Sequence, residues 1–315
     1  MKVKVTSAVI LFLKIVAIKW MKGVTAMIYK NKKIIWIFLL PTLVFVSLFL
    51  YLPFLVSLFN SLFDISNLAG LGKTFIGIKN YEELLTDSVV ITAVKNTFMM
   101  MMLTVIFEVG FAVVLALLVD SVGKTQRFYR TVFFFPVVIS ATAIGLMFIL
   151  FYDYNIGLFN QILIKFGSKP VLWLDEKRAL GMLSLPVIWQ YIGFYFVIVL
   201  TGIASIPEDI YESAYLEGAT GFQKVRYITL PLIKGVIRTC LILVITGTLK
   251  VFDLPWTIAP RGMPNETTYL LGTYQYKTVY EASRVGYGCT IAVFIVIVGV
   301  IVSTAVNKLL KQEDI

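Results

Sequence analysis

The sequence predicts an all-α integral membrane protein with six spanning helices. Of its 315 residues, 59% are hydrophobic and only 15% are charged, and the mean hydropathy is +0.88. Soluble domains are nearer one half apolar and one quarter charged. Apolar runs near twenty residues recur along the chain, and that length crosses a hydrocarbon core of ~30 Å. Such spans are helical, because each must satisfy its own backbone hydrogen bonds inside lipid.

Six candidate spans follow one another between residues 34 and 310. They are Ile34–Phe59, Thr92–Val119, Thr131–Tyr152, Ala179–Ile206, Val236–Trp256 and Tyr287–Leu309. Prolines at positions 41, 53, 136 and 186 interrupt these runs. Spanning helices tolerate proline, so each of these positions predicts a kink within a span. Residues 34–310 are therefore expected to form one six-helix transmembrane domain.

Residues 1–33 form a separate N-terminal segment. Val5–Ile18 is apolar but short for a span, and Lys14 lies inside it. We expect an uncleaved helix on the membrane surface, with its lysine side chains reaching the headgroups. A seventh span over 5–18 is the alternative. A cleaved signal peptide is disfavoured, because no small-residue cleavage site follows the apolar run.

Cationic residues are distributed unevenly between alternate loops. The first 33 residues hold eight lysines, and the loops and the C-terminal tail on the same side hold nine further Lys and Arg residues, against nine in all the opposite loops. Positive residues collect on the cytoplasmic side of bilayer proteins. Both termini and the long connection at residues 206–235, called here the 206–235 loop, are therefore expected in the cytoplasm.

The 206–235 loop carries the start and stop signals of two short helices. SIPE (205–208) has the S-x-x-E form of a capping box, and Gly218 is a natural helix end. TGFQ (220–223) is a second box, after which a helix is expected to continue until Pro231 breaks it. The loop is thus predicted to be a bent pair of helices rather than a flexible linker.

Polar residues within the spans are candidates for a substrate path. Lys250 and Asp253 lie three apart in the fifth span, where one helix face would let them pair. Trp189 and Gln190 lie midway along the fourth span, and an aromatic face beside an amide suits a sugar ring, although packing alone explains Trp189 equally well. Glu108 in the second span is a further candidate for the interior.

Several chemistries are excluded or disfavoured. The chain has no histidine and no CxxC pair, and Cys240 and Cys289 lie in or beside apolar runs. GKT at 72–74 and at 123–125 lacks the earlier glycine of a P-loop, so no nucleotide site is expected in this chain. No metal or catalytic site is expected. The net charge of +10 is accounted for by cytoplasmic cations, and no nucleic-acid partner is expected.

The 206–235 loop resembles the coupling loop of ABC importer permeases. That signature is E-A-A, three residues, G, nine residues and I-x-L-P, and here Ser213 replaces the first alanine while every spacing is kept. The resemblance implies that the loop docks on a separate ATPase. The coupling residues it implies are Glu212, Ala214, Gly218, Ala219, Ile228, Leu230 and Pro231.

Other segments look like the shorter sugar permeases of the maltose and glycerol-3-phosphate type. They are GIKNYEELLTD (77–87), RFYRTVFFFP (127–136), YNIGLFNQIL (154–163), SIPEDIYESA (205–214) and VFDLPW (251–256). One segment departs from the family pattern: IAPRGMPNET (258–267) stands where T-x-G-G-P is common. The loop on the substrate side of the membrane therefore departs from the family pattern.

The resemblance implies a type I, MetI-like importer fold in a bacterial cytoplasmic membrane. It implies a second permease subunit (a heterodimer in expectation), a cytoplasmic ATPase dimer and an extracytoplasmic solute-binding protein. This chain would bind no cofactor, since ATP and magnesium are used by the ATPase. Alternatives are a permease for a non-sugar solute and an ion-coupled secondary transporter, although the internal repeats usual in secondary transporters are not evident. A membrane enzyme is disfavoured, because no nucleophile–base set is recognisable.

Overall fold

The computed structural model describes residues 32–67 and 72–309. Within these ranges, five helices are long and apolar enough to cross a membrane, and a bent helix pair makes a sixth. The all-α spanning architecture predicted from the sequence is confirmed. The proposed surface helix at 5–18 lies outside the described residues.

The helices are α1 Lys32–Val46, α2 Leu52–Asn60, α3 Lys79–Thr86, α4 Ser88–Thr104, α5 Gly110–Asp120, α6 Gln126–Val138, α7 Ala141–Tyr152, α8 Leu158–Lys165, α9 Ala179–Ala204, α10 Glu208–Leu216, α11 Gly221–Lys224, α12 Leu230–Leu232, α13 Lys234–Thr248, α14 Asp253–Ile258, α15 Leu271–Tyr276 and α16 Val285–Leu309. Four π-helical segments join or extend them: Ser47–Tyr51, Val105–Val109, Val225–Thr229 and Lys277–Glu281. Two short antiparallel strands, β1 Phe63–Asp64 and β2 Thr74–Phe75, pair between the first span and α3.

The described residues divide into two compact units, one that ends at Val56 and one that begins at Ser57. In the first unit, α1 and the beginning of α2 are joined by the π segment Ser47–Tyr51, and the side chains between Trp36 and Val56 are exposed. An apolar helix with no buried side chains requires lipid or another protein around it. The predicted division into residues 1–33 and 34–310 stays a prediction.

Wide helical turns precede two of the prolines. The π segment Ser47–Tyr51 ends two residues before Pro53, and the π segment Val225–Thr229 ends two residues before Pro231. Proline lacks an amide hydrogen and its ring crowds the carbonyl four residues earlier. A turn widened to the i→i+5 pattern gives that carbonyl room. The helix therefore continues through both prolines, and the expected break at Pro231 is wrong.

The third span is two helices rather than one. The sequence predicted a single span over Thr131–Tyr152, but α6 and α7 meet at 91°. Ile139 between them is extended, three residues after Pro136, and its carbonyl accepts a hydrogen bond from Gln190 Nε2 at 3.2 Å. The bend frees a backbone carbonyl inside the protein, and the Gln190 amide satisfies it.

Close backbone contact holds α6 against α9. A Cβ built on Gly193 would lie 1.8 Å from the Phe133 carbonyl oxygen, so only glycine fits there. Further along α9, Phe196 and Val199 are fully buried in one cluster with Ala112 and Ala116 of α5. Small residues let spanning helices approach closely, where packing rather than the hydrophobic effect holds them together.

A carboxylate network ties the beginning of α4 to α15 and α16. Asp87 Oδ1 accepts from the amides of Val89 and Val90 at 2.8 and 3.3 Å and so caps α4. Asp87 Oδ2 accepts from the hydroxyls of Tyr274 and Tyr287 at 2.7 and 2.8 Å. Burial raises the pKa of Asp87, but these hydrogen bonds outweigh it and hold the pKa below its usual value.

An ion pair lies beside this carboxylate network. Both terminal nitrogens of Arg284 donate to the Glu83 carboxylate, at 2.7 and 2.6 Å, and the guanidinium lies 4.5 Å from the centre of the Tyr287 ring. This network was not predicted from the sequence. Its one local signal was an aspartate directly before a long apolar run, which is typical of a helix N-cap.

Candidate functional site: a helical loop and a cavity between the spans

The first helix of the 206–235 loop begins without a capping box. The helix α10 begins at Glu208, its N-cap is Pro207, and no side chain caps it. Ser205 instead ends α9, and its hydroxyl donates back to the Gly202 carbonyl at 2.7 Å. The box predicted at 205–208 is therefore absent, because proline occupies the N-cap position that the serine would need.

The end of α10 is a Schellman motif centred on Gly218. The Gly218 amide donates to the Tyr215 carbonyl and the Ala219 amide to the Ala214 carbonyl, both at 3.0 Å. Gly218 has a φ of +77°, a left-handed conformation that glycine adopts without strain. The helix end predicted at Gly218 is confirmed.

The second helix begins with the predicted capping box. The Thr220 hydroxyl accepts from the Gln223 amide at 3.3 Å, and the Thr220 amide donates to Gln223 Oε1 at 2.7 Å. The helix runs through Pro231, and the chain turns at Ile233, where ψ is 5°. The loop is thus a capped and bent pair of helices, as the sequence indicated, with its last break two residues later than expected.

A hydroxyl pair fixes the two halves of the loop to each other. The Tyr211 hydroxyl lies 3.0 Å from the Thr229 hydroxyl, and Thr229 is buried. This contact joins α10 to the π segment before Pro231. The loop therefore has tertiary structure of its own, which a flexible linker would lack.

The loop presents apolar side chains on its outer surface. Tyr215, Leu216, Phe222 and Tyr227 are 74%, 85%, 72% and 69% exposed. Beside them lies a groove of about 400 Å³, lined by Ala214, Glu217, Gly218, Ala219, Gln223, Tyr227 and Ile228. Four large exposed apolar residues around a groove are typical of a protein–protein interface.

The predicted coupling residues occupy different depths in this surface. Glu212, Gly218 and Pro231 are exposed, Ala214 is buried, and Ala219, Ile228 and Leu230 are half-buried. Ala214, Gly218, Ala219 and Ile228 come together at the groove, whereas Glu212 does not line it. Their role in coupling stays a prediction.

A second candidate site is a cavity of about 230 Å³ among the second, fourth and fifth spans. Its wall is formed by Glu108, Ala141, Val187, Gln190, Tyr191, Tyr195, Val244, Gly247, Thr248, Lys250, Val251, Phe252, Asp253 and Leu254. The hydroxyls of Thr104 and Thr248 lie 2.9 Å apart and join the second span to the fifth beside it. Helix breaks create this cavity: Ala141 follows the bend of the third span, and the Lys250–Leu254 wall lies where the fifth span is interrupted.

Two buried polar groups in the cavity wall lack protein partners. Glu108 is 3% exposed, and no hydrogen bond or ion pair joins its carboxyl to another residue in the described ranges. Gln190 is 4% exposed, and its Oε1 is unpaired although its Nε2 donates to Ile139. Buried polar atoms ordinarily have a partner, so these two are positioned to meet water or a ligand.

The role of the substrate-path candidates stays a prediction, but the expected pairing of Lys250 with Asp253 on one helix face is wrong. Trp189 is not part of the cavity wall: it is 37% exposed and its ring contacts that of Phe148 at 6.0 Å, because successive helical residues face different directions. Lys250 and Asp253 share no helix face, since α13 ends at Thr248 and α14 begins at Asp253. Within the described part of the chain, no ion pair joins these two side chains. Both do line the cavity.

The described residues contain no group of three or more Asp, Glu, Cys or His side chains placed to hold a metal ion. The arrangement is therefore one of hydrogen-bonding, aromatic and singly charged groups around a small space. Such a lining is suited to holding and orienting a polar ligand.

Residues 108–313 match the family described as "Binding-protein-dependent transport system inner membrane component". The chain belongs to this family. It is 35% identical over 291 residues to the probable ABC transporter permease protein YurN of Bacillus subtilis, covering 90% of this chain and 98% of that protein. It is 31% identical over 273 residues to the trehalose/maltose transport system permease protein MalF of Thermococcus litoralis, covering 84% and 89%.

The fold is also similar to a solved structure. One chain of a bacterial ABC transporter involved in the import of the acidic polysaccharide alginate matches with a TM-score of 0.79 and 23% identity, covering 91% of this chain and 98% of that chain. The prediction of an ABC permease with the type I importer fold is confirmed. The chain is a multi-pass membrane component of a binding-protein-dependent transporter.

Proposed function

We propose that the chain is the sugar-translocating permease subunit of an ABC importer, driven by a separate ATPase that docks on the 206–235 loop. The observation that carries the proposal is the loop itself. Its two helices are capped at Gly218 and Thr220, joined through Tyr211 and Thr229, and rimmed by exposed apolar side chains. A rigid loop can transmit the free energy of ATP binding, because it favours one packing of the spans over another.

The loop is connected to the cavity through one short helix. The helix α13 begins at Lys234, directly after the turn at Ile233, and ends at Thr248 in the cavity wall. Fifteen helical residues span about 22 Å at 1.5 Å per residue. A displacement of the loop would move α13 as a unit and change the shape of the wall at Lys250.

Three observations support the remaining parts of the proposal. The cation distribution supports a cytoplasmic loop, where an ATPase would meet it. The similarity to a trehalose/maltose permease favours a sugar as substrate. The cavity wall supplies amide, hydroxyl and carboxyl groups beside the Phe252 ring, which suits the hydroxyls and apolar faces of a sugar. A second permease subunit would complete the path, and an extracytoplasmic binding protein would deliver the sugar.

The docking part of the proposal is tested by photo-crosslinking in the assembled transporter. A benzoylphenylalanine at Leu216, which is 85% exposed, should crosslink to the ATPase subunit. The matched control is Ile156, which is 76% exposed on the connection between α7 and α8, on the opposite predicted side of the membrane. Crosslinking to the ATPase from Ile156 but not from Leu216 would reverse the proposed orientation. Crosslinking from neither would contradict docking on this loop.

A further inference from the structure

A groove of about 770 Å³ runs along α6, on the side bordered by α9. It shares no residue with the cavity between the spans or with the groove of the 206–235 loop. Its polar end is formed by Arg127, Arg130 and Thr131, and its apolar wall by Phe134, Val138 and Val197. The groove is therefore cationic at one end and apolar at the other.

The two arginines at the polar end have hydrogen-bond donors to spare. They lie three residues apart, which makes them neighbours on one face of α6. Both are exposed, and neither forms an ion pair with another described residue. Each guanidinium carries five N–H donors and keeps its charge in a protein. Because like charges this close repel each other, an anion bound by both would stabilise this end of the helix.

The groove has the depth of one membrane leaflet. From Arg127 to Val138 the helix rises about 16 Å at 1.5 Å per residue, and half of a ~30 Å hydrocarbon core is about 15 Å. Beyond Val138 the chain turns at Ile139, where α6 and α7 meet at 91°. The apolar wall thus ends about one leaflet away from the arginines.

A ligand that fits this groove has an anionic head and an apolar body. A free anion would satisfy the arginines but would leave the apolar wall uncovered, and Val138 is 74% exposed. An apolar protein surface would cover the wall but would remove two unpaired guanidiniums from water, which is costly. A phospholipid satisfies both ends, because its phosphate oxygens accept hydrogen bonds where its acyl chains begin.

We propose that this groove binds an anionic phospholipid, whose phosphate accepts from Arg127 and Arg130 and whose acyl chains lie along Phe134, Val138 and Val197. Basic pockets between spanning helices on the cytoplasmic side bind lipid headgroups of this kind. The cation distribution predicts that the arginine end is cytoplasmic, so the lipid belongs to the inner leaflet. The inference does not depend on which solute the chain transports.

The test measures which lipid lies against the apolar end of the groove. A fluorescent amino acid is incorporated at Val138, and the full chain is assembled with its second permease and ATPase in phosphatidylcholine nanodiscs. Quenching by brominated phosphatidylglycerol is compared with quenching by brominated phosphatidylcholine that has the same acyl chains and mole fraction. The matched control site is Ile297 on α16, which is 48% exposed and lies as many residues from Lys308 as Val138 does from Arg127.

Phosphatidylglycerol should quench preferentially at Val138 and not at Ile297. An arginine near a membrane surface favours an anionic lipid by roughly fivefold, so two favour it by roughly thirtyfold. Arg127→Gln or Arg130→Gln should each lower the preference roughly fivefold, and the double variant should nearly remove it. Lys234→Gln combined with Lys308→Gln removes two exposed cations outside the groove, on the same predicted side, and should leave the preference unchanged.

Inorganic phosphate distinguishes a lipid from a free anion. When phosphate replaces chloride at constant ionic strength, the preference should remain, because acyl chains also hold the lipid in the groove. Loss of the preference would show a free-anion site and would overturn the inference.

Three further results would overturn it. One is equal quenching by the two lipids at Val138, and another is a preference that survives in the double arginine variant. The third is a reporter at Val138 that neither lipid quenches, which would show that protein, such as the second permease, covers the groove.

Discussion

Replacement of Gly218 tests whether the shape of the 206–235 loop matters for transport. At a φ of +77°, Gly218→Ala costs about 1–2 kcal/mol, because alanine disfavours the left-handed conformation. The lower conformational entropy of the unfolded chain offsets part of this cost. No atom lies within 4 Å of an added Cβ, so the conformation is the whole cost. Gly218→Pro is more severe, because φ is forced to about −65° and the amide bonded to the Tyr215 carbonyl is lost. On the scale of a proline placed inside a helix, this costs about 3 kcal/mol, with the lost hydrogen bond included.

A larger cost is expected to cause a larger loss of coupling between ATP hydrolysis and transport. A cost of about 1 kcal/mol lowers the equilibrium constant for forming the capped bend roughly fivefold, and about 3 kcal/mol lowers it roughly a hundredfold. ATP-driven uptake into proteoliposomes should fall in that order, while membrane insertion of both variants stays normal. Gly221→Ala is the matched control, since Gly221 has no positive φ and no atom within 4 Å of a Cβ. It should transport at the unmodified rate.

Two results would refute this reasoning. One is normal ATP-driven uptake by Gly218→Pro, which would show that the capped bend is not needed. The other is an equal loss from Gly218→Ala and Gly221→Ala, which would assign the effect to side-chain bulk instead of backbone conformation.

Three further substitutions have expected outcomes. Thr220→Ala removes the cap of α11 at a cost of about 1 kcal/mol. Hydrogen exchange of the Gln223 amide should therefore accelerate roughly fivefold. Thr220→Ser keeps the capping hydroxyl and should leave this exchange rate unchanged. The depressed pKa of Asp87 contributes stability that is complete above its unfolded pKa of about 3.9 and is lost as pH falls through the lower folded pKa. Asp87→Asn should therefore lower the Tm at neutral pH and weaken its fall below about pH 4; an unchanged pH profile would contradict this. Gly193→Ala should reduce the yield of folded protein in size-exclusion chromatography, because its Cβ would meet a carbonyl of α6 at 1.8 Å, whereas Gly181→Ala on the same helix should not.

Helix ends and caps were predicted correctly where a single residue determines the backbone conformation. Gly218 ends α10 and Thr220 caps α11, as their residue types indicate. The spans were identifiable because hydropathy over twenty residues is a property of one segment. The box predicted at Ser205 failed because the pattern S-x-x-E does not specify which residue is the N-cap, and Pro207 takes that position.

Features that depend on two segments could not be predicted from one of them. The bend of the third span depends on Gln190, 51 residues after the Ile139 carbonyl that it satisfies. Lys250 and Asp253 were placed on one helix because the apolar run hides the break between α13 and α14. The cavity exists because both interruptions meet there, so Glu108 could be named from the sequence but its unpaired position in the wall could not.

This chain is expected to move its substrate only when a partner subunit hydrolyses ATP. The most direct measurement is solute uptake into proteoliposomes that contain the chain with its second permease and ATPase, supplied with loaded binding protein. We expect uptake that requires internal ATP and binding protein and that does not respond to a proton or sodium gradient. Uptake driven by an ion gradient without ATP would instead identify an ion-coupled secondary transporter.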